Sequence, residues 1–138
     1  MVDQPTLDGS IGKLQAYVST LRGLAAVPRD VFLHDPDKIG NAKYHFVIAI
    51  ECSIDIANHV IASEAFRLPK DNADSFAVLV DEGILPAASK EPLAAMAGFR
   101  NRLVHLYANV GDDRVYEYLL HSLDDLDAFA RTVAGHRW

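Results

Sequence analysis

Apolar residues recur every three or four positions along most of the chain, which is the spacing of amphipathic helices. From about Leu7 to Val27 this pattern runs through Ile11, Leu14, Val18, Leu21 and Leu24. A longer helix is predicted from about Asp37 to Ala65. Because this second helix is apolar nearly all round between Phe46 and Ile61, we expect it to lie at the centre of the fold.

Helix breakers and caps divide the rest of the chain into three further helices. Asn72 is a candidate cap for a short helix over Ala73 to Asp81, which Gly83 ends. The next helix runs from about Pro92 to Tyr107, where proline is tolerated only in the first turn. The last spans Val115 to Val133. No strand-like alternation persists, so the sequence predicts an all-α bundle of four or five helices with antiparallel neighbours.

Length and composition are those of an ordinary folded domain. The chain has 138 residues, of which 50% are hydrophobic and 23% charged. This much apolar surface offsets the entropy of ordering the chain, so a disordered tail is excluded. We expect one domain over residues 1–138 with one continuous core. The net charge of −6 argues against a protein that coats nucleic acid by bulk electrostatics, but it leaves room for a small local basic site.

The sequence also bears on the compartment. Its charge-free apolar stretches are short, and Glu51 interrupts the longest, which starts at Phe46; a membrane span needs about 18 such residues. The first residues carry an aspartate and no basic segment, unlike a signal peptide. Cys52 is the single cysteine, which excludes an intrachain disulfide and a cysteine-based zinc site. We therefore expect a reduced, cytoplasmic setting and no membrane partner.

The fourth predicted helix carries a charge in its apolar seam. The seam runs through Leu93, Ala97, Arg100, Val104 and Tyr107 and would face the bundle or a partner. A charge there is costly unless it is paired. Gly98 costs about 1 kcal/mol relative to alanine in a helix interior, and we interpret it as a site where another backbone comes close.

The central helix has a matching polar stripe. Glu51, Asp55 and Asn58 lie at i, i+4 and i+7 on an otherwise apolar cylinder. A carboxylate stripe on one helix and an arginine on another would satisfy each other. The pair would then be a structural ion pair that fixes helix register. Alternatively, these groups line a cleft that contains one cation and one imidazole, because perturbed titratable groups gather at functional sites.

Few patterns indicate a metal or a cofactor. The chain has six histidines, and none forms a His-x-x-x-His or Glu-x-x-His pair on a predicted helix. There is no glycine-rich phosphate loop either. We therefore expect neither a metal site nor a cofactor.

A ten-residue block from Gly98 to Tyr107 resembles a known motif. Within it, Arg100, His105 and Tyr107 stand in the Arg-x4-His-x-Tyr spacing of the HepT-like branch of the HEPN proteins. Two upstream segments resemble further signatures of that family: residues 54–59 on the central helix, and the stretch from Ser75 to Ile84. The resemblance covers roughly Lys43 to Phe129. Pro92, just before the motif helix, departs from the family pattern.

This resemblance implies an all-helical HEPN fold that pairs as a homodimer, with the two motif helices meeting at a composite cleft. It also implies a metal-independent endoribonuclease that acts as the toxin of a two-gene toxin–antitoxin system. The usual partner in the family is a nucleotidyltransferase antitoxin of the MntA type. That enzyme can transfer AMP to the motif tyrosine, here Tyr107, and silence the toxin.

The residue types suit metal-free RNA cleavage. His105 has the right chemistry for acid–base catalysis, and Arg100 can hold two phosphate oxygens while it keeps its proton. Asn101 and Arg102 would grip the RNA backbone, although Arg102 is equally well read as a solvated or carboxylate-paired surface residue. Glu51 or Asp55 of the central stripe would support the site by holding Arg100. Alternatively, Asp55 would orient His105.

Two other functions remain open at this stage. The chain could be a non-catalytic HEPN subunit that binds nucleotide or positions a nucleotidyltransferase, using the same cations to hold phosphate. It could also be a structural helical partner in which Arg100 only pairs with Glu51 or Asp55. The intact Arg100 and His105 disfavour the binding subunit, because binding alone does not require an imidazole at that position.

Overall fold

In a computed structural model, which describes residues 1–138, the chain folds into seven α-helices without a strand. The helices are α1 Gln4–Ala25, α2 Arg29–Leu33, α3 Pro36–Ser63, α4 Asn72–Asp81, α5 Lys90–His105, α6 Asp112–His121 and α7 Leu123–Gly135. Short 3-10 turns at Ala87–Ser89 and Tyr107–Asn109 flank α5. The predicted all-α class is therefore confirmed.

Helix α3 is the centre of the bundle and contacts each of the other six helices. Its start is fixed by Asp35, whose side chain accepts hydrogen bonds from the backbone amides of Asp37 and Lys38 at 3.1 and 3.2 Å. Helix α1 packs antiparallel along it, because the amino group of Met1 donates to the carbonyl oxygen of Ser63 at the opposite end. By length and composition α3 would be able to cross a membrane, and half of its most apolar window is buried within the bundle.

The core is one continuous cluster of 36 buried residues. The stripe predicted on α1 is buried throughout, with Leu7 added at its start. Five of the six phenylalanines are buried in the core: Phe32, Phe46, Phe76, Phe99 and Phe129. Burial of large side chains supplies most of the favourable free energy of folding, and these rings join α2, α3, α4, α5 and α7 into a single unit.

Several predicted boundaries need correction. The last predicted helix is two helices, α6 and α7, with a break at Ser122, where serine is a weak helix former and two aspartates follow in the first turn of α7. The five-residue helix α2 is too short to show a period and was absent from the prediction. The side-chain cap of α4 is Asp71 rather than Asn72. Pro92 lies in the first turn of α5, as expected, and Gly83 follows α4 with a φ of 75°.

The loop before α4 is held by an ion-pair cluster. The guanidinium of Arg67 donates to both carboxylate oxygens of Asp74 at 2.7 and 3.0 Å, and to Asp81 at 3.1 Å. The backbone amide of Lys70 also donates to Asp74 at 2.9 Å. The hydrogen bonds from Arg67 and then Lys70 lower the pKa of Asp74 to about 2.

We expect Asp74→Asn to lower the melting temperature at neutral pH, and we expect this decrease to become smaller as the pH falls. The pKa of Asp74 is about 2 in the folded state and near 3.8 in the unfolded state. The ionised carboxylate therefore stabilises the fold fully above pH 3.8, and this stabilisation is lost as the pH falls through about 2. The difference in melting temperature between the wild type and the variant should therefore narrow between these two pH values. Asp113→Asn is the matched control, because Asp113 occupies the first turn of α6. A gap that stays constant down to the lower pH would contradict this account.

Candidate active site at the end of α5

The resembling block lies at the C-terminal end of α5, where the helix leaves the core. The buried residues of α5 end with Phe99 and Leu103. The motif residues around them face solvent: Asn101, Arg102, Val104, His105, Leu106 and Tyr107 are all exposed. The segment therefore presents its polar groups on the surface of the isolated chain.

The predicted seam of α5 is only half correct. Leu93 and Ala97 are buried as expected, but Val104 and Tyr107 are 44% and 52% exposed. The core stripe continues through Met96, Phe99 and Leu103 instead, also at spacings of three and four. The sequence pattern fits two adjacent stripes of the same helix, and neighbouring helices bury only one of them. Three large apolar side chains are consequently left uncovered beside the motif: Val104, Leu106 and Tyr107.

The predicted pairing of Arg100 with the carboxylate stripe of α3 is present, and its partner is Glu51. Nε and Nη2 of Arg100 both donate to Oε1 of Glu51, at 3.1 and 2.7 Å, and Nη1 donates to Oδ1 of Asn101 at 3.1 Å. The Arg100 side chain is 21% exposed and that of Glu51 is 41% exposed. Partly exposed pairs contribute little to stability, about 0 to 1 kcal/mol, so this pair is open to exchange with an anionic ligand.

The stripe on α3 lines a polar cavity at the surface instead of lying buried. The cavity of about 290 Å³ is lined by Glu51, Ile54, Asp55, Asn58, Asn72 and Arg100. Oδ1 of Asn58 accepts a hydrogen bond from the buried Ser75 hydroxyl at 2.7 Å, which orients the amide. Asp55 is exposed and lines the cavity beside Arg100 without a hydrogen bond to it or to His105. Its expected orienting contact is thus absent in the isolated chain.

His105 is the last residue of α5 and is exposed. It follows Arg100 by five residues, which places the two side chains about 140° apart around the helix axis. One chain therefore points its arginine and its imidazole toward different sides of the helix. A phosphate held by Arg100 would lie away from the His105 of the same chain.

Arg102 faces α6, away from the carboxylates of the cavity. Its Nη2 donates to the hydroxyl of Tyr118 at 3.3 Å, and its guanidinium carbon lies 5.9 Å from the centre of the Phe99 ring. No backbone of the same chain comes close to Gly98, so the expected close approach is not made within the chain. A Cβ atom at Gly98 would meet only Nη1 of Arg102, at 3.8 Å.

Tyr107 lies outside α5, in the 3-10 turn that follows it, and Lys43 of α3 holds that turn. Lys43 is only 6% exposed. Its ammonium group lies 4.5 Å from the centre of the Tyr107 ring, donates to the Tyr107 carbonyl oxygen at 3.2 Å, and lies 3.7 Å from Oδ1 of Asp112. The Tyr107 hydroxyl lies over Gly40, where a Cβ atom would be 3.9 Å away. Lys43 was not among the predicted site residues, although a lysine on the apolar stripe of a central helix was a visible signal.

No three side chains of the metal-binding types His, Cys, Asp and Glu come together in the fold. Cys52 is half-buried, and its Sγ donates to the carbonyl oxygen of Ser10 at 3.3 Å. Burial, with the nearby charge of Asp55 as a smaller cause, raises the pKa of this thiol. The thiol is therefore less nucleophilic than a free cysteine at neutral pH.

Comparison with known proteins adds a family match over most of the chain. The family described as "Ribonuclease HepT-like" matches residues 9–133. A protein of Shewanella oneidensis named mRNA nuclease HepT is 33% identical over 83 residues. That alignment covers 60% of this chain and 62% of the relative, so it spans less than two thirds of the relative's length.

Solved structures share the fold. A Shewanella oneidensis HEPN toxin, described as tri-AMPylated and in complex with an MNT antitoxin, superposes with a TM-score of 0.87 at 23% identity. The superposition covers 99% of this chain and 100% of that one. A structure described as a toxin-antitoxin with AMP-PNP gives a TM-score of 0.86 at 22% identity, over 94% and 98% of the two chains.

Proposed function

The chain belongs to the HepT-like ribonuclease family, and on that premise we propose that it cleaves RNA, without a metal ion, as the toxin of a two-gene toxin–antitoxin system. One observation carries the proposal: Arg100 and His105 stand in the family's motif spacing at the exposed end of α5. The relative named mRNA nuclease supports the activity. We propose a cytoplasmic setting, where the RNA is found.

Metal-free cleavage requires a base, an acid and a cation at the phosphate. The ribose 2′-oxygen attacks phosphorus, the bond to the 5′-oxygen breaks, and a 2′,3′-cyclic phosphate forms. One His105 imidazole accepts the 2′-hydroxyl proton, and a second, protonated imidazole gives a proton to the leaving 5′-oxygen. Arg100 stabilises the additional negative charge on the phosphorane through its fixed fork of donors.

This chemistry favours a homodimer with a composite cleft. One chain has a single motif imidazole, and it points about 140° away from Arg100 around the helix. A two-fold axis beside the end of α5 would bring Arg100 of one chain toward His105 of the partner subunit. The uncovered Val104, Leu106 and Tyr107 supply apolar surface for such a contact, because large exposed apolar groups that lie together mark interaction sites.

The ion pair between Arg100 and Glu51 has to open before Arg100 holds RNA. A phosphate would replace the Glu51 carboxylate, which then turns into the polar cavity beside Asp55. Oδ1 of Asn101 already accepts a hydrogen bond from Nη1 of Arg100 and would keep the guanidinium oriented. A non-catalytic subunit, or a chain in which this ion pair is only structural, would show the same contact between Arg100 and Glu51. The activity of Arg100 variants therefore decides between these functions.

We further propose that a nucleotidyltransferase antitoxin of the MntA type silences the protein by AMP transfer to Tyr107. The tyrosine oxygen would bond to the α-phosphorus of ATP and pyrophosphate would leave. Tyr107 is half-exposed on the turn after α5, and the similar fold described as tri-AMPylated in complex with an MNT antitoxin supports this choice. The added phosphate would repel RNA and its adenosine would fill the cleft.

Cleavage of RNA in EDTA tests the proposed function. The protein is made without its neighbour gene and checked by mass for the absence of an adduct on Tyr107. We expect wild type to leave 2′,3′-cyclic phosphate ends, and Arg100→Ala and His105→Ala each to lower the rate about 100- to 10,000-fold. Arg131→Ala, an exposed arginine on α7, is the matched control and should cleave like wild type.

Each variant is first checked for folding and for dimer formation. An unmodified, dimeric wild type that cleaves no species in total RNA would refute the nuclease and favour the binding subunit. Full activity in His105→Ala would mean that another group performs the proton transfers.

A further inference from the structure

Arg102 within the motif and Arg114 on α6 have no carboxylate partner. Six of the 13 Lys and Arg side chains take part in salt bridges with carboxylates. The unpaired ones are Lys13, Lys70, Lys90, Arg102, Arg114, Arg131 and Arg137. Among these, Arg102 and Arg114 meet at one side chain, Tyr118. In a chain with a net charge of −6, two unpaired arginines in contact with one side chain form a distinct positive site.

Tyr118 is a fixed platform between these two arginines. Its ring stacks on the buried Phe99 with centroids 3.8 Å apart and planes 4° from parallel. Its hydroxyl accepts a hydrogen bond from Arg102, and the guanidinium carbon of Arg114 lies 6.0 Å from the ring centre. Because Phe99 is buried in the core and the partly buried Tyr118 packs against it, the platform requires little ordering when a ligand binds.

A shallow groove of about 220 Å³ continues from this platform along α6. It is lined by Arg114, Glu117, Tyr118, His121 and Ser122. The one carboxylate in the groove, Glu117, is engaged by Arg29 at 2.7 Å and lies 3.3 Å from Nε2 of His121. Arg29 offsets the charge of this carboxylate, and Arg114 contributes the remaining formal charge of the lining.

The groove is continuous with the candidate active site. Arg102 precedes His105 by three residues, so both lie on neighbouring positions of the last turns of α5. From Arg102 the contacts lead through Tyr118 to Arg114 on α6. Arginine forks bind phosphate oxygens, and aromatic rings next to arginines stack nucleobases in single-stranded RNA.

We infer that the groove along α6, with Arg114, Tyr118 and His121 in its lining and Arg102 beside it, binds the single-stranded RNA that flanks the cleaved bond. This inference rests on the proposed function for the identity of its ligand. It assigns to α6 a phosphate contact at Arg114 and a stacking platform at Tyr118. The groove supplies the local positive site that an acidic chain needs to hold a polyanion.

Binding of an uncleavable RNA tests the groove separately from catalysis. The probe is a fluorescent 2′-O-methyl oligoribonucleotide of about 12 nucleotides, within the span of single-strand sites, and binding is followed by anisotropy at several salt concentrations. We expect Arg114→Ala to raise Kd about 5- to 10-fold and to reduce the slope of log Kd against log salt by about 0.7. Arg131→Ala removes the same charge from α7 and should change Kd by less than about twofold.

The outcomes separate the groove from the nuclease. If wild type binds the probe and Arg114→Ala weakens binding while no RNA is cleaved, the groove stands and the proposed function fails. If wild type does not bind the probe, or if Arg114→Ala and Arg131→Ala have equal effects, the groove is overturned whether or not RNA is cleaved. Unchanged RNA affinity with weaker binding of the nucleotidyltransferase would instead make the groove a protein-docking surface.

Discussion

Arg100→Lys is expected to reduce RNA cleavage about 100- to 1,000-fold although it keeps the positive charge. In the structure three nitrogens of Arg100 donate at once, two to one Glu51 oxygen and one to Asn101. A planar fork of this kind can hold two oxygens of a phosphorane while it remains oriented by Asn101. An ammonium group is a point charge and does not reproduce that geometry.

The measurement is kcat/KM for a defined oligoribonucleotide in EDTA, with Arg131→Lys as the matched control on α7. Thermal unfolding should be nearly unchanged, because an exposed ion pair contributes at most about 1 kcal/mol. Activity in Arg100→Lys within a few-fold of wild type would show that charge alone is sufficient and that the fork has no catalytic role. A large loss of stability would instead assign Arg100 to the structural ion pair.

The helices of the fold were predictable wherever apolar spacing is sustained. The stripe of α1 and the central position of α3 follow directly from residues that recur every three or four positions. The break at Ser122 was not predictable, because the apolar period continues through it from Leu119 to Leu123 and Leu126. The two helices are separated only by the backbone conformation of Ser122, a weak helix former. Apolar periodicity carries no information about that conformation.

One contact of the candidate site was predictable from the sequence, and the surroundings of that contact were less so. Spacing on two helices was enough to expect that Arg100 meets the stripe of α3, but it did not distinguish Glu51 from Asp55. Whether Val104 and Tyr107 are buried depends on how far the neighbouring helices extend. The apolar pattern of one helix gives no information about that extent. The contact of Lys43 with Tyr107 joins residues 64 positions apart, a separation that sequence spacing leaves undetermined.

Phe99→Ala is expected to have the largest effect on stability, about 3 to 5 kcal/mol of the free energy of unfolding. Phe99 is fully buried, stacks on Tyr118 and meets the edge of Phe46 with ring centroids 5.2 Å apart. Truncation would leave a cavity among three helices, because α3 and α6 contribute the other two rings. The total free energy of unfolding of a domain of this size is roughly 5 to 15 kcal/mol, so Phe99→Ala would remove a large fraction of it.

Chemical denaturation at a fixed protein concentration measures this loss, with Phe66→Ala as the control, since Phe66 is only partly buried. Phe66→Ala should cost less than half as much, because a partly buried ring loses less transfer free energy and leaves a smaller cavity. Equal losses would contradict the assignment of Phe99 to the centre of the core. Phe99 directly precedes Arg100 and supports Tyr118, so its removal should also weaken binding of the 2′-O-methyl probe in molecules that remain folded. The core ring thus couples the stability of the bundle to the geometry of both the motif and the groove.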